Sequence, residues 1–164
     1  MNRIITISRE FGSGGRELGR RLSEKLGFAY YDQEIIQEIA RRTSLSEQYV
    51  QAIVEYRPAF SYPIHIGHSF YPASNQPFEQ TVSIYQEQME IIQEMAAKSS
   101  CVIVGRCADY ILRDRQPFRV LVYANMESKL KRCREKAPAE DHLTDRELKQ
   151  KIQSVDRRRA KFYE

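Results

Sequence analysis

Two kinds of apolar spacing divide the chain into predicted strands and helices. Short apolar runs, typical of buried parallel strands, occur at 4–7, 28–31, 101–105 and 118–123. Apolar residues spaced three or four apart, typical of amphipathic helices, occupy 18–26, 35–39, 49–53, 79–98 and 108–112. Strands that alternate with helices predict an α/β fold, with a central parallel sheet covered by helices on both faces.

Residues at the ends of these segments predict where helices begin and end. Asp32 and Ser46 are typical N-caps, and Gly27 is a typical C-cap. A basic helix is predicted over 129–136, and a last helix, rich in Lys and Arg, from Thr144 onward. Two of the predicted helices carry an apolar stripe, formed by Leu18, Leu22 and Leu26 in one and by Val82, Tyr85, Met89, Ile92 and Met95 in the other.

The stretch 56–78 breaks this pattern. It holds four of the six prolines and two of the three histidines, interleaved with aromatic residues, which predicts irregular structure. A loop of this length in a compact domain is usually functional or mobile. His65 and His68 stand three apart, but no third ligand is near them in the sequence, so we predict no metal site there.

The most informative segment is the turn after the first strand, which reads FGSGGRE over 11–17. Gly12, Gly14 and Gly15 let the backbone coil and approach a ligand without Cβ atoms in the way. Such a turn at a helix N-terminus gathers N–H groups and the positive end of the helix dipole, which suits a phosphate. The alternative is a tight turn that needs glycine only for geometry. A standard phosphate-binding loop reads GxxxxGK[ST], and this turn contains no lysine.

Three predicted loops meet at the carboxyl edge of the parallel sheet, where α/β proteins bind ligands. The glycine-rich turn follows the first strand, Asp32 the second, and Gly105 and Arg106 the third. Arg106 either grips a phosphate or a base edge, or forms a surface ion pair with Asp109 or Asp32. Asp32 is either a helix cap, or a carboxylate that accepts from a substrate hydroxyl or orients a magnesium ion.

A cluster of basic side chains, Arg157 to Arg159 with Lys161, lies near the end of the sequence. One interpretation is a solvated helix face. The other is a cationic lid, whose arginines stabilise charge on a phosphoryl group in transfer.

Composition narrows the function classes. A chain of 164 residues fits one domain, 1–164, and its net charge of +4 suits an anionic partner such as a nucleotide or a nucleic acid. Cys101, Cys107 and Cys133 form no CxxC pair, which is typical of reduced thiols and predicts a cytoplasmic protein. No window approaches the ~20 apolar residues of a membrane span, so no membrane partner is predicted.

Taken together, these segments resemble the cytidylate kinase-like family, a branch of the P-loop nucleoside monophosphate kinases. The resemblance rests on residues 4–27 and on YYDQEII, IVGRCADYIL, FRVLVYANMESKLKR and VDRRRAKFYE, which follow in family order. It implies a three-layer P-loop fold with an acceptor-binding insertion at about 33–98 and a lid-like region at about 132–160. The family continues into a further strand, so the sequence either stops short of that strand or lacks this edge of the sheet.

The resemblance also implies a reaction, the transfer of the γ-phosphoryl group of ATP to CMP or dCMP with Mg²⁺. Three sets of residues follow from it. The donor would be held by Gly12, Ser13, Gly14, Gly15, Arg16 and Glu17. The acceptor would be held by Asp32, Arg41, Gly105, Arg106 and Asp109. Arg16, Arg157 and Arg158 would act in catalysis.

Several positions depart from the family pattern. In the loop, Gly15 stands where the lysine belongs, with Arg16 one residue later, and Glu17 replaces the Ser or Thr that holds Mg²⁺. Arg9 replaces the first glycine of the family's loop. Beyond the loop, Cys107 replaces the aspartate after Gly105-Arg106, and Glu38 replaces an acceptor-phosphate arginine.

These departures keep a second hypothesis open, a nucleotide-binding regulatory module with weak or absent catalysis. A third hypothesis, nucleic-acid binding through the basic last helix, leaves the glycine-rich turn unexplained, so we expect no nucleic-acid partner.

Overall fold

The computed structural model describes residues 2–56, 76–136 and 143–161. Its strands are β1 (Ile4–Arg9), β2 (Ala29–Tyr31), β3 (Cys101–Val104) and β4 (Phe118–Val122). Its helices are α1 (Gly15–Leu26), α2 (Gln33–Thr43), α3 (Glu47–Tyr56), α4 (Gln76–Lys98), α5 (Ala108–Ile111), α6 (Met126–Lys136) and α7 (Asp145–Ala160), with a short 3₁₀ turn at Arg113–Arg115.

The predicted α/β fold is confirmed. The four strands form one parallel sheet in the order β2-β3-β1-β4. In this sheet β1 and β3 are central, and the pair Ile7 and Val104 lies in register between them, with both side chains fully buried. The strand β4 forms an outer edge of the described sheet, where Phe118 and Leu121 are largely exposed.

Two apolar clusters cover the two faces of the sheet. The larger joins the sheet to α2, α3, α4 and α5, and its fully buried members include Ile35, Ile39 and Ile92. The smaller cluster is built on Ile7, Val102 and Val104 and lies beneath α1. Loops that leave the strands at their carboxyl ends therefore emerge between two anchored layers of helices.

The apolar stripe of α1 does not form its closest contact with the sheet. The residues that α1 buries are Gly15, Gly19 and Ser23, whereas Leu18 and Leu26 are more than 40% exposed. A Cβ atom on Gly19 would lie 2.9 Å from Val104 Cγ2. Small residues thus bring the helix and its preceding turn close to the sheet, and the leucines flank the contact.

The face that α4 buries differs from the prediction by about one residue. Val82 and Met89 are exposed, and the buried positions are Thr81, Ile84, Gln88, Ile91, Ile92 and Ala96. The prediction was wrong for Val82 and Met89, because two polar residues, Thr81 and Gln88, occupy the buried face. It is confirmed for Ile92, which is fully buried, and for Tyr85 and Met95, which pack against the core. The helix also begins at Gln76, three residues before the predicted start.

The remaining element predictions agree with the structure, with boundaries shifted by a few residues. Gly27 ends α1 in a left-handed conformation, and Ser46 Oγ accepts a hydrogen bond from the Tyr49 N–H at the start of α3. Residues 57–75 of the predicted irregular stretch, with His65 and His68, lie outside the described residues. No helix within the described ranges is long and apolar enough to cross a membrane.

Candidate active site

A cavity of about 600 Å³ opens at the carboxyl edge of the sheet, where the sequence places three ligand-binding loops. Its walls come from the ends of β1 and β3, from the first turn of α1, and from α3, α4 and α7. Six cationic side chains line it, against three carboxylates. The cations are Arg9, Arg16, Lys151, Arg106, Arg158 and Arg159, and the carboxylates are Glu10, Glu55 and Asp156.

Arg9, the last residue of β1, extends into this cavity with only 10% of its side chain exposed. Its guanidinium lies 3.9 Å from Asp32 Oδ1, which is an ion-pair distance but too long for a hydrogen bond. Burial, together with the positive charge of Arg159, lowers the pKa of Arg9 to about 10. Arg9 therefore stays charged at neutral pH in a place that disfavours its charge, and a bound anion would relieve this cost.

Arg106 is the second buried cation of the cavity. Its side chain is 3% exposed and lies 3.8 Å from Glu55 Oε1, and burial lowers its pKa to about 10. Its Nε and Nη2 are buried and have no hydrogen-bond partner among the described residues. This ion pair joins Arg106 to Glu55, whereas the sequence-based alternative named Asp109 or Asp32 as the partner.

The backbone at Arg106 and at its two neighbours lies in the left-handed region. Gly105, Arg106 and Cys107 follow one another with φ angles of 75°, 58° and 52°. A non-glycine residue in this left-handed region costs about 1–2 kcal/mol, and such costs concentrate at functional sites. Gln88 of α4 contacts this backbone, since its Nε2 donates to the Arg106 carbonyl at 3.2 Å. The Oε1 atom of Gln88 is buried and has no hydrogen-bond partner among the described residues.

Asp32 joins the glycine-rich turn to the second strand. It occupies the N-cap position of α2, but its side chain makes no capping hydrogen bond. Instead, Oδ2 lies 2.7 Å from Arg16 Nε, and Oδ1 faces Arg9. The Arg16 side chain is 55% exposed, whereas that of Asp32 is 9% exposed. The Asp32 side chain therefore pairs with two arginines of the cavity and does not cap α2, although Asp32 itself does not line the cavity.

The glycine-rich turn lies between the cavity and α6. Gly12 and Gly14 have φ angles of 73° and 90°, and Ser13 Oγ donates to the Glu10 carbonyl at 2.9 Å. No described side chain caps the N-terminus of α1. The turn thus presents a helix N-terminus of the kind that binds anions.

Glu17, in the first turn of α1, is engaged by three cations. Arg21 lies 2.6 Å, Lys136 3.0 Å and Arg132 3.3 Å from its carboxylate. The hydrogen bond from Lys136 is the largest cause that holds the pKa of Glu17 below its ordinary value. Glu17 therefore carries a charge that α6 already neutralises, and it points away from the cavity lining.

The helix α7 contacts the turn through Asp156 and Arg159. Asp156 Oδ1 accepts from the Phe11 N–H at 2.7 Å, and Arg159 Nη1 donates to the Arg9 carbonyl at 3.3 Å. Asp156 Oδ2 also pairs at 2.8 Å with the buried Lys129 of α6, which lies 2.7 Å from Glu10 Oε2. These contacts hold the end of α7 against the loop that follows β1.

The remaining predicted residues lie at the margin of the site or outside it. Of the predicted donor and acceptor residues, only Arg16, Gly105 and Arg106 line the cavity, and of the predicted lid arginines Arg158 and Arg159 do. Arg157 is on the exposed side of α7, where its Nε donates to the Gln153 carbonyl. Arg41 is exposed and paired with Glu38 at 2.6 Å. Asp109 is in the first turn of α5 and does not line the cavity.

Comparison with known proteins identifies the family of this chain. The model of the cytidylate kinase-like family matches residues 4–164. The chain belongs to this family. Membership supports a nucleotide kinase in general terms, without fixing the acceptor. No curated protein matches the chain.

Solved structures show the same fold. An uncharacterised protein from Eubacterium ventriosum is 24% identical, with a TM-score of 0.63, over 98% of this chain and 75% of that one. A shikimate kinase from Bacteroides thetaiotaomicron is 17% identical, with a TM-score of 0.56, over 98% of this chain and 81% of that one. These likenesses show that the chain shares its fold with both proteins.

Several residues of the site were not predicted from the sequence, among them Arg9, Glu55 and Gln88. Arg9 was noticed only as a missing loop glycine. Gln88 carries no signal in the sequence, because the predicted apolar stripe of α4 runs through Met89 and leaves Gln88 off the buried face. Glu55 carries no signal either, because a carboxylate near the end of a short helix is ordinarily solvated.

Proposed function

We propose that this chain is an ATP-dependent nucleoside monophosphate kinase that transfers the γ-phosphoryl group of ATP to CMP or dCMP. The observation that carries the proposal is the set of three desolvated guanidinium groups, those of Arg9, Arg106 and Arg159, around one cavity. Burial is the first cause of a lowered pKa in all three. Phosphoryl transfer depends mainly on cations that are fixed in advance, and this cavity supplies them.

The donor phosphates would lie against the glycine-rich turn. The N-terminus of α1 offers N–H groups and the positive end of its dipole, and the residues proposed to hold the donor are those of 12–17. Arg158 and Arg159 of α7 would face the donor from the opposite side, which assigns a lid role to part of the region 132–160. The exposed Arg157 would have to turn inward to join them.

The acceptor would lie between Arg106 and the α3–α4 wall, inside the proposed insertion at 33–98. Two donors of Arg106 and the Gln88 Oε1 atom have no hydrogen-bond partner among the described residues, and with the Glu55 carboxylate they offer both donors and acceptors to a base or a phosphate. Asp32 lies beside this space, next to Arg16. A nucleotide would satisfy buried polar atoms that otherwise lack partners.

In the proposed reaction, an oxygen of the acceptor phosphate attacks the γ-phosphorus of ATP. A new P–O bond forms, the bond from the γ-phosphorus to the β,γ-bridging oxygen breaks, and that oxygen leaves with ADP. Arg106 and Asp32 would orient the acceptor, while Arg16, Arg158 and Arg159 would balance the charge of the phosphates. Water would be excluded by α7, which already contacts the loop through Asp156.

Magnesium fits this site only as part of a nucleotide complex. Within the described ranges, no group of three or more His, Cys, Asp or Glu side chains is placed to hold a metal ion. Mg²⁺ in kinases is commonly held by substrate phosphates, water and one or two carboxylates. Asp32, whose buried Oδ1 has no hydrogen-bond partner among the described residues, is the carboxylate that would face the ion, which would neutralise phosphate charge when bound.

The second candidate function is nucleotide binding without efficient transfer. It is favoured by Glu17, which replaces the Mg²⁺-holding Ser or Thr of the family and is already paired with Arg21, Arg132 and Lys136. A cytoplasmic location stays a prediction under either function.

A coupled assay that detects ADP distinguishes the two functions. Wild-type protein is incubated with ATP, Mg²⁺ and one of CMP, dCMP, UMP or AMP, and calorimetry measures nucleotide binding in parallel. We expect turnover with CMP or dCMP above the other acceptors. An Arg106→Met variant should lose it, while Arg113→Met, which changes an exposed arginine stacked on Tyr110, should not. Binding without turnover would select the second function, and no binding would reject both.

A further inference from the structure

Arg9 occupies a channel that two glycines leave open. A Cβ atom on Gly15 would lie 2.5 Å from Arg9 Cβ and 3.0 Å from Arg9 Cγ. A Cβ atom on Gly105 would overlap Arg9 Nη1 and lie 2.8 Å from Cζ. One glycine therefore accommodates the base of the arginine and the other its guanidinium, so the three residues form one packing unit.

This packing unit also explains why the loop has no lysine. Position 15 is where the family lysine belongs, and any side chain there would begin against the Cβ atom of Arg9. Real Cβ atoms do not approach this closely, so the backbone would have to move. A lysine at 15 and an arginine at 9 thus exclude each other in this backbone.

The guanidinium of Arg9 is better placed for a phosphate than that of Arg16. Arg16 is 55% exposed and already ion-paired with Asp32 Oδ2 at 2.7 Å. Arg9 is 10% exposed, lines the cavity and lies 3.9 Å from Asp32 Oδ1, without a hydrogen bond between them. The backbone of Arg9 is also fixed, because β1 pairs with β4 through Arg9 and Val122 and because Arg159 donates to the Arg9 carbonyl.

We propose that Arg9 is the fixed cation that binds the transferring phosphate, in place of the lysine that the loop lacks, and that Gly15 and Gly105 are glycines because they admit it. This inference rests on the proposed function. The side chain would donate two parallel N–H groups to phosphate oxygens, a geometry that a lysine cannot supply. Because Arg9 is the last residue of β1, its charge enters the cavity from the strand that precedes the glycine-rich turn and not from the helix α1 that follows it.

Three chains test the proposal, namely Arg9→Met, Arg9→Lys and the control Arg113→Met. Calorimetry measures the binding of ADP and of inorganic tripolyphosphate, and the coupled assay measures kcat and KM. We expect Arg9→Met to weaken tripolyphosphate binding about ten-fold or more, and to lower kcat on the order of 100-fold, as the loss of one preorganised donor does. Arg9→Lys should fall in between, and Arg113→Met should match wild type.

Chemical rescue separates a direct role from a structural one. Removing the side chain enlarges a cavity that already opens to solvent, so added guanidinium should restore part of the kcat of Arg9→Met, with no effect on wild type. Thermal melts of each variant establish that it folds. If Arg9→Met does not fold, the Arg9→Lys variant separates the two roles. If Arg9 is needed only for packing, folded Arg9→Lys should bind tripolyphosphate as tightly as wild type does. If Arg9 binds the phosphate, Arg9→Lys should bind it more weakly.

The outcomes distinguish a failure of this inference from a failure of the proposed function. Wild-type turnover that survives in folded Arg9→Met would overturn the role of Arg9 and leave the kinase standing. A wild-type chain that binds tripolyphosphate through Arg9 but turns over no nucleotide would reject the kinase and retain the anion site. Equal tripolyphosphate binding by wild type and Arg9→Met would overturn the inference in either case.

Discussion

The packing of Arg9 against Gly15 predicts that the effect of Gly15→Ala on the free energy of unfolding depends on the residue at position 9. In the wild-type chain, Gly15→Ala places a new Cβ atom 2.5 Å from Arg9 Cβ, with Val122 Cβ at an ordinary 3.6 Å. The clash is with the root of the Arg9 side chain and not with its flexible end. Rotation of the arginine therefore does not remove it.

The magnitude follows from two opposing terms. Overpacking of this kind costs about 1–3 kcal/mol of unfolding free energy. Alanine is favoured over glycine inside a helix by up to about 1 kcal/mol, and Gly15 is the first residue of α1. We therefore expect Gly15→Ala to destabilise the wild type. In an Arg9→Gly background the clash is gone, so the same substitution should be neutral or stabilising.

Urea unfolding, followed by circular dichroism, measures the four free energies of this double-mutant cycle. A coupling of about 2 kcal/mol corresponds to a midpoint shift of roughly 1 M urea for a domain of this size. Arg9→Ala is the matched control, because alanine retains the Cβ atom and should not relieve the clash. Gly27→Ala is the second control, since its Cβ would meet nothing within 4 Å and only its φ of 66° is strained.

The packing argument fails if Gly15→Ala costs the same in the wild type and in Arg9→Gly. It also fails if Arg9→Ala relieves the cost as fully as Arg9→Gly does, because the contact would then lie farther along the side chain. A coupling between Gly27→Ala and Arg9→Gly would show that the cycle reports a general loosening of the domain.

Three further predictions concern other parts of the molecule. Lys129→Met should lower the unfolding free energy by about 1–2 kcal/mol in urea titrations, because it removes the cation shared by the partly exposed Glu10 and Asp156 carboxylates; an unchanged unfolding free energy would contradict this. The hydrogen bonds from Arg41 and Arg42 lower the pKa of Glu38 to about 2, so its stabilising contribution is complete above about pH 4.5 and is lost as the pH falls toward 2. A Glu38→Gln variant should therefore lose less Tm over that window than wild type, and parallel curves would refute it. Thr144→Ala should cost about 1 kcal/mol and speed hydrogen exchange in the first turn of α7, whereas Thr144→Ser, which preserves the capping box, should not.

The elements themselves were predictable, because each rests on a local signal. The run Cys101–Val104 is fully apolar and becomes a fully buried central strand. Thr144 and Glu147 form the capping box that starts α7. Parallel topology then follows from the alternation of strands and helices. The position of the site at the carboxyl edge of the sheet follows in turn from that topology.

The rotated face of α4 shows where local signals end. Gln88 and Thr81 are polar, so periodicity assigned the buried stripe to their apolar neighbours Val82 and Met89. Gln88 is buried because Arg106, on another element, offers a carbonyl group to its amide. This contact spans 18 residues, and hydrophobic periodicity carries no information about it.

The same limit applies to the cation of the glycine-rich turn, and it bears on how such loops are interpreted. In sequence, a lysine-free turn followed by an arginine at 16 suggests that the neighbouring charge replaces the missing one. In the folded chain, Gly15 and Gly105 leave the space that the Arg9 side chain fills, so the glycines of two separate motifs are explained by a third residue.

A lysine could occupy position 15 only if position 9 had no side chain. The substitution pair Arg9→Gly with Gly15→Lys should then fold and bind tripolyphosphate, whereas Gly15→Lys alone should be destabilised by the contact that blocks Gly15→Ala. If Gly15→Lys alone is as stable as the pair, the two cations are independent, and the absence of the lysine needs another explanation.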